Sequence, residues 1–223
     1  SYEPDAQYTL SELTSLCYDL TDEANALAER QQGDAPSQPE LLVQAQRALP
    51  SVDGIPLTAT HAKPARYPEL IEALGIAGIY CPFTGEAIYN PDELPLALPY
   101  LITHESAHQA GYAREDEANY IAYLACRQGD ARFQHSGAMY ALYYAMEALH
   151  DADTMSWTAA RLRMSKAVQR DYYRMNGLRN AEVSGPVRMR RSAETAFLTI
   201  TCQQGARSYG DMVDLLLAER RAS

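Results

Sequence analysis

The sequence predicts a mainly α-helical fold of the α+β class, in which one small β-hairpin interrupts a succession of helices. Three observations predict this class. Residues 8–32 carry apolar side chains at intervals of three and four, which is the period of an amphipathic helix. Residues 76–90 contain two short apolar runs joined by the turn formers of residues 82–85. From residue 98 onwards, apolar segments with helical spacing recur between glycine and proline breaks.

The elements follow in order from these patterns. The helix over residues 8–32 ends at the segment GDAPSQPE, and a second helix follows in ELLVQAQRAL. Residues 50–65 are rich in proline and turn formers and predict a loop. The short helix YPELIEALG precedes two strands, expected at about 76–81 and 86–90. Six further helices are expected: one from a first turn at Pro99 to a glycine cap at Gly111, and others near 113–127, 132–150, 154–177, 188–203 and 208–221.

The length and composition predict one globular domain without a nucleic-acid partner. A chain of 223 residues can bury one sizeable core. We expect a single domain over 1–223, with N-terminal helices (1–49), a hairpin with the site helices (63–128) and a C-terminal helical part (129–223). The net charge of -10 argues against binding nucleic acid, because a phosphate-binding surface needs a surplus of Lys and Arg. No apolar stretch in this sequence is long enough to span a bilayer.

One segment, HESAH at residues 104–108, carries recognisable chemistry. Residues four apart lie on the same face of a helix, so His104 and His108 can bind one Zn²⁺ through their imidazole nitrogens. Glu105 is then turned towards the place of a zinc-bound water, whose proton a carboxylate can accept. Three protein ligands plus water is the arrangement of a catalytic zinc rather than of a structural one. The alternative is that both histidines are surface or core residues without a metal.

The third ligand is expected among the acidic residues that follow. The spacing to Gly111 imitates the HExxHxxGxxH pattern, but Arg114 stands where that pattern has its third histidine, and an arginine cannot bind zinc. Glu115 is the preferred ligand because it forms an E-x-x-x-N pair with Asn119 on one face of the next helix. We expect the amide of Asn119 to orient a ligand histidine. Glu117 is the alternative ligand, since it lies nearer the centre of the apolar face of that helix.

Two further features could complete a hydrolytic site. An extended peptide can add to the edge of a strand through main-chain hydrogen bonds, and residues 87–89 of the hairpin are expected near an exposed edge. The oxyanion formed when water attacks a peptide carbonyl needs a hydrogen-bond donor besides the metal. His135, Tyr112, Tyr140 and Tyr209 are the candidates. The alternative for each is a packing or surface role, since the chain has 16 tyrosines.

The residues around this segment resemble a family of bacterial membrane-anchored proteins known as a domain of unknown function, which carries the motif HExxHQxGYAREDEAN. The resemblance extends to GIYCPFTGEAIYN before the motif, and to HSGAMYALYYAMEAL and GARSYGDMVDLLLA after it. Its last segment contains Tyr209, whereas His135 replaces a tyrosine that is usual in the family. The resemblance implies a zincin-like domain and a zinc metallopeptidase of the gluzincin type. It also implies a bacterial cell membrane location, with transmembrane helices ahead of this segment and the domain on the extracytoplasmic side.

The function predicted from these features is zinc-dependent hydrolysis of peptide bonds in a peptide or protein substrate. His104, His108 and Glu115 would hold Zn²⁺, and Glu105 would act as the general base for the zinc-activated water and pass its proton to the leaving amine. A second hypothesis, of a different class, is a catalytically inactive zinc-binding sensor or scaffold domain of a membrane protein. A third is a purely structural helical domain without a metal.

Overall fold

The computed structural model describes residues 8–31, 36–52, 62–74, 77–184 and 208–222. Within these ranges the chain is mainly helical with one small mixed sheet, which confirms the predicted fold class. The helices are α1 (Leu10–Glu29), α2 (Gln38–Ala48), α3 (Pro68–Leu74), α4 (Leu98–Gln109), α5 (Glu115–Arg127), α6 (Ala131–Ala152), α7 (Thr154–Arg163), α8 (Lys166–Ser184) and α9 (Ser208–Ala222). A 3₁₀ turn (Leu49–Ser51) follows α2, and the strands are β1 (Lys63–Pro64), β2 (Gly78–Cys81) and β3 (Glu86–Tyr89).

The hydrophobic core surrounds α6, which packs against α1, α4, α5, α7 and α9. Phe133, Met139, Leu142 and Leu149 of α6 are completely buried in one continuous cluster of apolar side chains. Full burial of a large apolar side chain contributes about 1.5–3 kcal/mol. The apolar stripe of α1 faces α6, as its three- and four-residue spacing predicts. The core therefore holds α4 and α5 in place from one side.

Helix α4 lies between α5, α6, α2 and the sheet, and nearly all of its residues are buried. Pro99 occupies its first turn, where the N–H that proline lacks is not needed. The helix ends at Gln109, and Gly111, two residues further on, adopts φ +107° and donates its N–H to the carbonyl oxygen of His108 at 3.0 Å. The predicted proline start and glycine end of this helix are confirmed.

The predicted hairpin is confirmed as β2 and β3, but the sheet contains a third strand that the sequence did not predict. Strand β1 comes from the segment expected to be a loop and pairs with β3 in parallel, while β2 pairs with β3 antiparallel, so the order is β1-β3-β2. Strand β3 is therefore central, and Ala87 and Tyr89 are fully buried. The prediction that residues 87–89 lie at an exposed edge is wrong, because β1 covers that edge of β3. The sequence does not predict β1, since a strand of two residues is too short to show an alternating pattern. Strand β2 is the edge strand that contacts α4.

The helix predicted over residues 154–177 is two helices. Asn25 of α1 bridges the break: its amide nitrogen donates to the carbonyl oxygen of Arg163 at 3.1 Å, and its amide oxygen accepts from the N–H of Ser165 at 2.7 Å. The hydroxyl of Ser165 then accepts from the N–H of Val168 in the first turn of α8. The helix predicted at 188–203 lies outside the described residues.

Candidate metal centre

Helices α4 and α5 bring the side chains of His104, His108 and Glu115 together. The Nε2 atoms of the two histidines are 3.1 Å apart, and each lies 3.3 Å from a different oxygen of the Glu115 carboxylate. The donor atoms of the three residues all lie within 4.8 Å of one another. Two imidazole nitrogens and one carboxylate form a donor set that suits Zn²⁺. The residues present therefore fit the metal that the sequence predicts.

This convergence follows from local sequence. His104 and His108 are one helical turn apart on α4, so their side chains lie on one face. The turn at Gly111 reverses the chain and places α5 against α4. Glu115 is the first residue of α5, where a carboxylate also interacts favourably with the positive end of the helix dipole. The twelve residues from His104 to Glu115 thus contain all three donors of the cluster.

The ring of His108 is fixed by the backbone. Its Nδ1 lies 2.7 Å from the carbonyl oxygen of Tyr112, and because a carbonyl can only accept, Nδ1 carries the proton. In the neutral ring the lone pair is then on Nε2, the nitrogen that faces His104 and Glu115. Burial lowers the pKa of His108, but the hydrogen bond and charge of Glu115 outweigh that effect and raise it.

The carboxylate of Glu115 is charged at neutral pH. Burial alone would raise its pKa, but the hydrogen bonds from His104 and His108 outweigh this effect and hold the pKa well below its usual range. The side chain is 19% exposed, so the cluster is partly accessible to solvent. An ionised carboxylate at a partly open position is the form that binds a divalent cation.

The carboxyl group of Glu105 lies beside this cluster in a buried environment. The residue is 4% exposed, and its Oε2 atom has no hydrogen-bond partner among the described residues. Burial raises the pKa of this carboxyl to about 7, while the neighbouring His104 and His108 act in the opposite direction. A pKa near neutrality is one that suits a group that both accepts and returns a proton.

The alternative ligand, Glu117, is not brought to the cluster. Its side chain is 47% exposed, and its carboxylate lies 3.9 Å from the Nε atom of Arg114. Arg114 also forms a bidentate pair with Asp116, at 3.0 and 2.6 Å. The geometry therefore favours Glu115 over Glu117 as the third donor.

The sequence predicts that Asn119 orients a ligand histidine, but in the structure its amide contacts neither histidine. Its Oδ1 atom accepts hydrogen bonds from the hydroxyls of Tyr100 at 3.0 Å and Tyr144 at 3.3 Å. The orienting contact expected from this amide is made instead by the carbonyl of Tyr112 on His108. Asn119 lies one turn beyond Glu115, at a point where α5 faces α4 and α6, and its amide joins these three helices.

The candidate oxyanion donors His135, Tyr140 and Tyr209 lie in different parts of the fold. His135 is buried in α6, and its Nε2 atom lies 3.6 Å from a carboxylate oxygen of Asp171 in α8. The ring of Tyr140 stacks on that of Tyr100, with centroids 3.9 Å apart, and the Tyr100 ring lies 6.2 Å from that of His104. Tyr209 belongs to the first turn of α9, and its side chain lies outside the described residues.

Sequence reasoning missed two contributors to the site. The carbonyl of Tyr112 is invisible to a search for side-chain ligands, because it belongs to the backbone. Strand β2 lies against α4, with the ring of Tyr80 nearly parallel to that of His108 at a centroid distance of 6.3 Å. Gly78 of the same strand lies against Glu105. A lone glycine in a short strand was the available signal, since it often marks a close approach of backbone to another group.

Fold and donor set define a class: a mainly helical domain in which an HExxH helix and the helix after it form a candidate metal centre. The chain belongs to the family described as "Protein of unknown function (DUF3810)", whose family model matches residues 3–217. Neither a comparison with curated proteins nor one with solved structures gives a significant match. The description of the family states no activity.

Proposed function

We propose that the protein is a zinc-dependent metallopeptidase of the gluzincin type, in which His104, His108 and Glu115 hold Zn²⁺. One observation carries the proposal: two imidazoles and a carboxylate offer donor atoms within 4.8 Å of one another, with the buried carboxyl of Glu105 beside them. A carboxyl group is costly to bury without a partner, so its presence next to a metal-type donor set favours a chemical role.

Each residue has a separate task in this proposal. Bound zinc would supply an acidified water and polarise the scissile carbonyl. Glu105 accepts the proton of the attacking water and delivers it to the nitrogen of the leaving amine. The carbonyl of Tyr112 keeps His108 in the tautomer whose Nε2 atom can donate its lone pair. Glu115 contributes a negative charge that balances part of the charge of the cation.

The proposed substrate is an extended segment of a peptide or protein. Strand β2 is hydrogen-bonded to β3 on one side, and within the described residues no strand pairs with its other side. An extended chain can add to such an edge by main-chain hydrogen bonds. Since β2 also contacts α4, a peptide bound there would pass close to the candidate metal centre.

A place at the extracytoplasmic side of a bacterial membrane is part of the proposal and rests on the resemblance of the sequence motifs. None of the helices in the described ranges combines the length and apolarity that crossing a bilayer requires.

Glu105→Gln tests the proposed function. We expect the wild-type protein to bind about one zinc per chain and to cleave members of a peptide library in a chelator-sensitive way. The variant keeps the shape of the side chain but removes the basic oxygen, so it should bind the same zinc and lose at least about 10²-fold in kcat. Metal content by elemental analysis and cleavage by mass spectrometry measure both. Glu117→Gln, at an exposed neighbour outside the cluster, is the matched control and should keep both properties.

The outcomes separate the hypotheses. Full activity in the Glu105→Gln variant would refute the role of Glu105 as the base. A wild-type protein that binds zinc but cleaves no peptide would be a zinc-binding sensor or scaffold. A protein that takes up no zinc would be a structural helical domain, and the metallopeptidase proposal would fail.

A further inference from the structure

Gly78 of β2 lies in direct contact with the side chain of Glu105 in α4. A Cβ atom placed on Gly78 would stand 2.6 Å from Cδ and 2.7 Å from Cγ of Glu105. Non-bonded carbon atoms prefer about 3.5–4.0 Å. An alanine at this position therefore cannot be accommodated unless the strand or the glutamate moves.

The contact is fixed from both sides. Gly78 pairs with Tyr89 in the antiparallel ladder, and Tyr89 is completely buried in the central strand, so β2 cannot shift freely. Residues i and i+2 of a strand share a face, which puts Gly78 and Tyr80 on the face towards α4. There Tyr80 meets His108, and Gly78 meets Glu105, one helical turn away. Glu105 is itself almost fully buried, so its side chain has little free space into which it could retreat.

We infer that Gly78 is a positioning residue, because its missing side chain leaves the space in which the Glu105 carboxyl lies beside His104, His108 and Glu115. The inference rests on the proposed function, since the position of this carboxyl affects turnover only if Glu105 acts on the attacking water. It goes beyond that function by assigning a role to the edge strand: β2 sets the location of the base as well as offering an edge to a substrate.

The first test is a double-mutant cycle on stability, which needs no activity. Gly78→Ala is measured by thermal unfolding in the wild-type and in the Glu105→Ala background, with chelator present. We expect it to lower the Tm by about 2–10 °C in the wild type, as overpacking does in proteins of this size. In the Glu105→Ala background the clashing atoms are gone, so the loss should be much smaller. Equal losses in both backgrounds would overturn the inference.

Gly177→Ala is the matched control for the added methyl group. An ideal Cβ on Gly177 of α8 meets no atom within 4 Å, so the same substitution there should lower the Tm in neither background. A loss at Gly177 as large as that at Gly78 would mean that the effect of Gly78→Ala is not specific to its contact with Glu105, and would overturn the inference.

The second test concerns turnover. The three metal donors are untouched in Gly78→Ala, so the variant should bind zinc as the wild type does while its kcat falls about 10²-fold, the size of effect that a displacement of about 1 Å produces. Wild-type kcat in this variant, or loss of zinc, would overturn the positioning role. A wild-type protein that cleaves nothing would overturn the proposed function and the catalytic part of this inference, whereas the stability cycle would still decide whether Gly78 makes the space for Glu105.

Discussion

At the scale of single residues, the parts of the site that could be read from sequence are those that depend on one helix or one turn. The spacing of His104 and His108 places both on one face of α4 whatever the rest of the chain does. Gly111 marks the end of that helix because few other residues adopt its backbone conformation. Tyr112 and Gly78 contribute through the backbone and through the absence of a side chain, and both contributions depend on how the chain packs, which spacing does not encode.

The choice between the two candidate third ligands is a prediction at this scale. Glu115→Ala should weaken zinc binding by more than the roughly 10–100-fold that is typical of losing an outer partner of a ligand, because it removes a donor atom itself. Glu117→Ala should leave the affinity unchanged, since that side chain lies at the surface near Arg114. Competition with a chromophoric chelator measures both dissociation constants.

The two variants control for each other, because both replace a glutamate in the first turn of α5 and remove one negative charge. Similar losses in both would show that the zinc responds to the overall charge of this turn rather than to one ligand. A loss confined to Glu117→Ala would exchange the roles of the two residues.

At the scale of elements, two copies of the triplet E-A-N show why a short motif cannot be assigned without its packing. In α5 the triplet ends at Asn119, which joins α5 to hydroxyls from α4 and α6. In α1 it ends at Asn25, which bonds the last turn of α7 and the start of α8. Neither asparagine contacts a histidine of the cluster. The local pattern of residues 154–177 does not predict the break between α7 and α8 for the same reason, since the residue that stabilises the break comes from α1, about 140 positions away in sequence.

The start of α1 carries a pH-dependent contribution to stability. Oε2 of Glu12 accepts from the N–H of Thr9, and Oε1 accepts from the guanidinium of Arg221 in α9 at 2.8 Å. The backbone hydrogen bond of Thr9 is the main cause, and Arg221 a further one, of the lowering of the Glu12 pKa to about 2. A carboxyl with a depressed pKa contributes stability that is present above its unfolded pKa of about 4.5 and lost as the pH falls through about 2.

We therefore expect Glu12→Gln to lower the Tm at pH 7, and the difference from the wild type to shrink as the pH falls from about 4.5 to about 2. Thermal unfolding followed by circular dichroism across this range measures the difference. Glu40→Gln is the matched control, because Glu40 forms the same capping box with Ser37 at the start of α2. We expect Glu12→Gln to lower the Tm more than Glu40→Gln does at pH 7, because it also removes the contact with Arg221 in α9. Equal losses of Tm in the two variants would show that the helix cap alone accounts for the contribution of Glu12.

At the scale of the whole molecule, the candidate metal centre lies where the helical core and the sheet meet. Helix α4 contacts α5 and α6 on the core side and β2 and β3 on the other, so the cluster lies at the junction of these elements. The alternation of apolar and polar segments predicted the mainly helical class and the approximate limits of most helices. It did not predict the order of the sheet, because parallel pairing of β1 with β3 joins residues about 25 positions apart through only two pairs.

This arrangement makes zinc binding a property of the folded chain, which leads to a prediction for its stability. The three donors come from two helices, so the unfolded chain cannot present them together, and a cation that binds only the native state stabilises it. At a free zinc concentration of about 100 times Kd the gain is about 2.7 kcal/mol, which corresponds to a rise in Tm of about 5–10 °C in a protein of this size. Differential scanning calorimetry with zinc and then with excess chelator measures the rise and its reversal. His104→Ala should abolish the rise, whereas His150→Ala, at a half-exposed histidine beside Trp157, should retain it. A rise of the same size in His104→Ala would mean that the stabilising cation binds elsewhere, and that α4 and α5 do not meet around a metal.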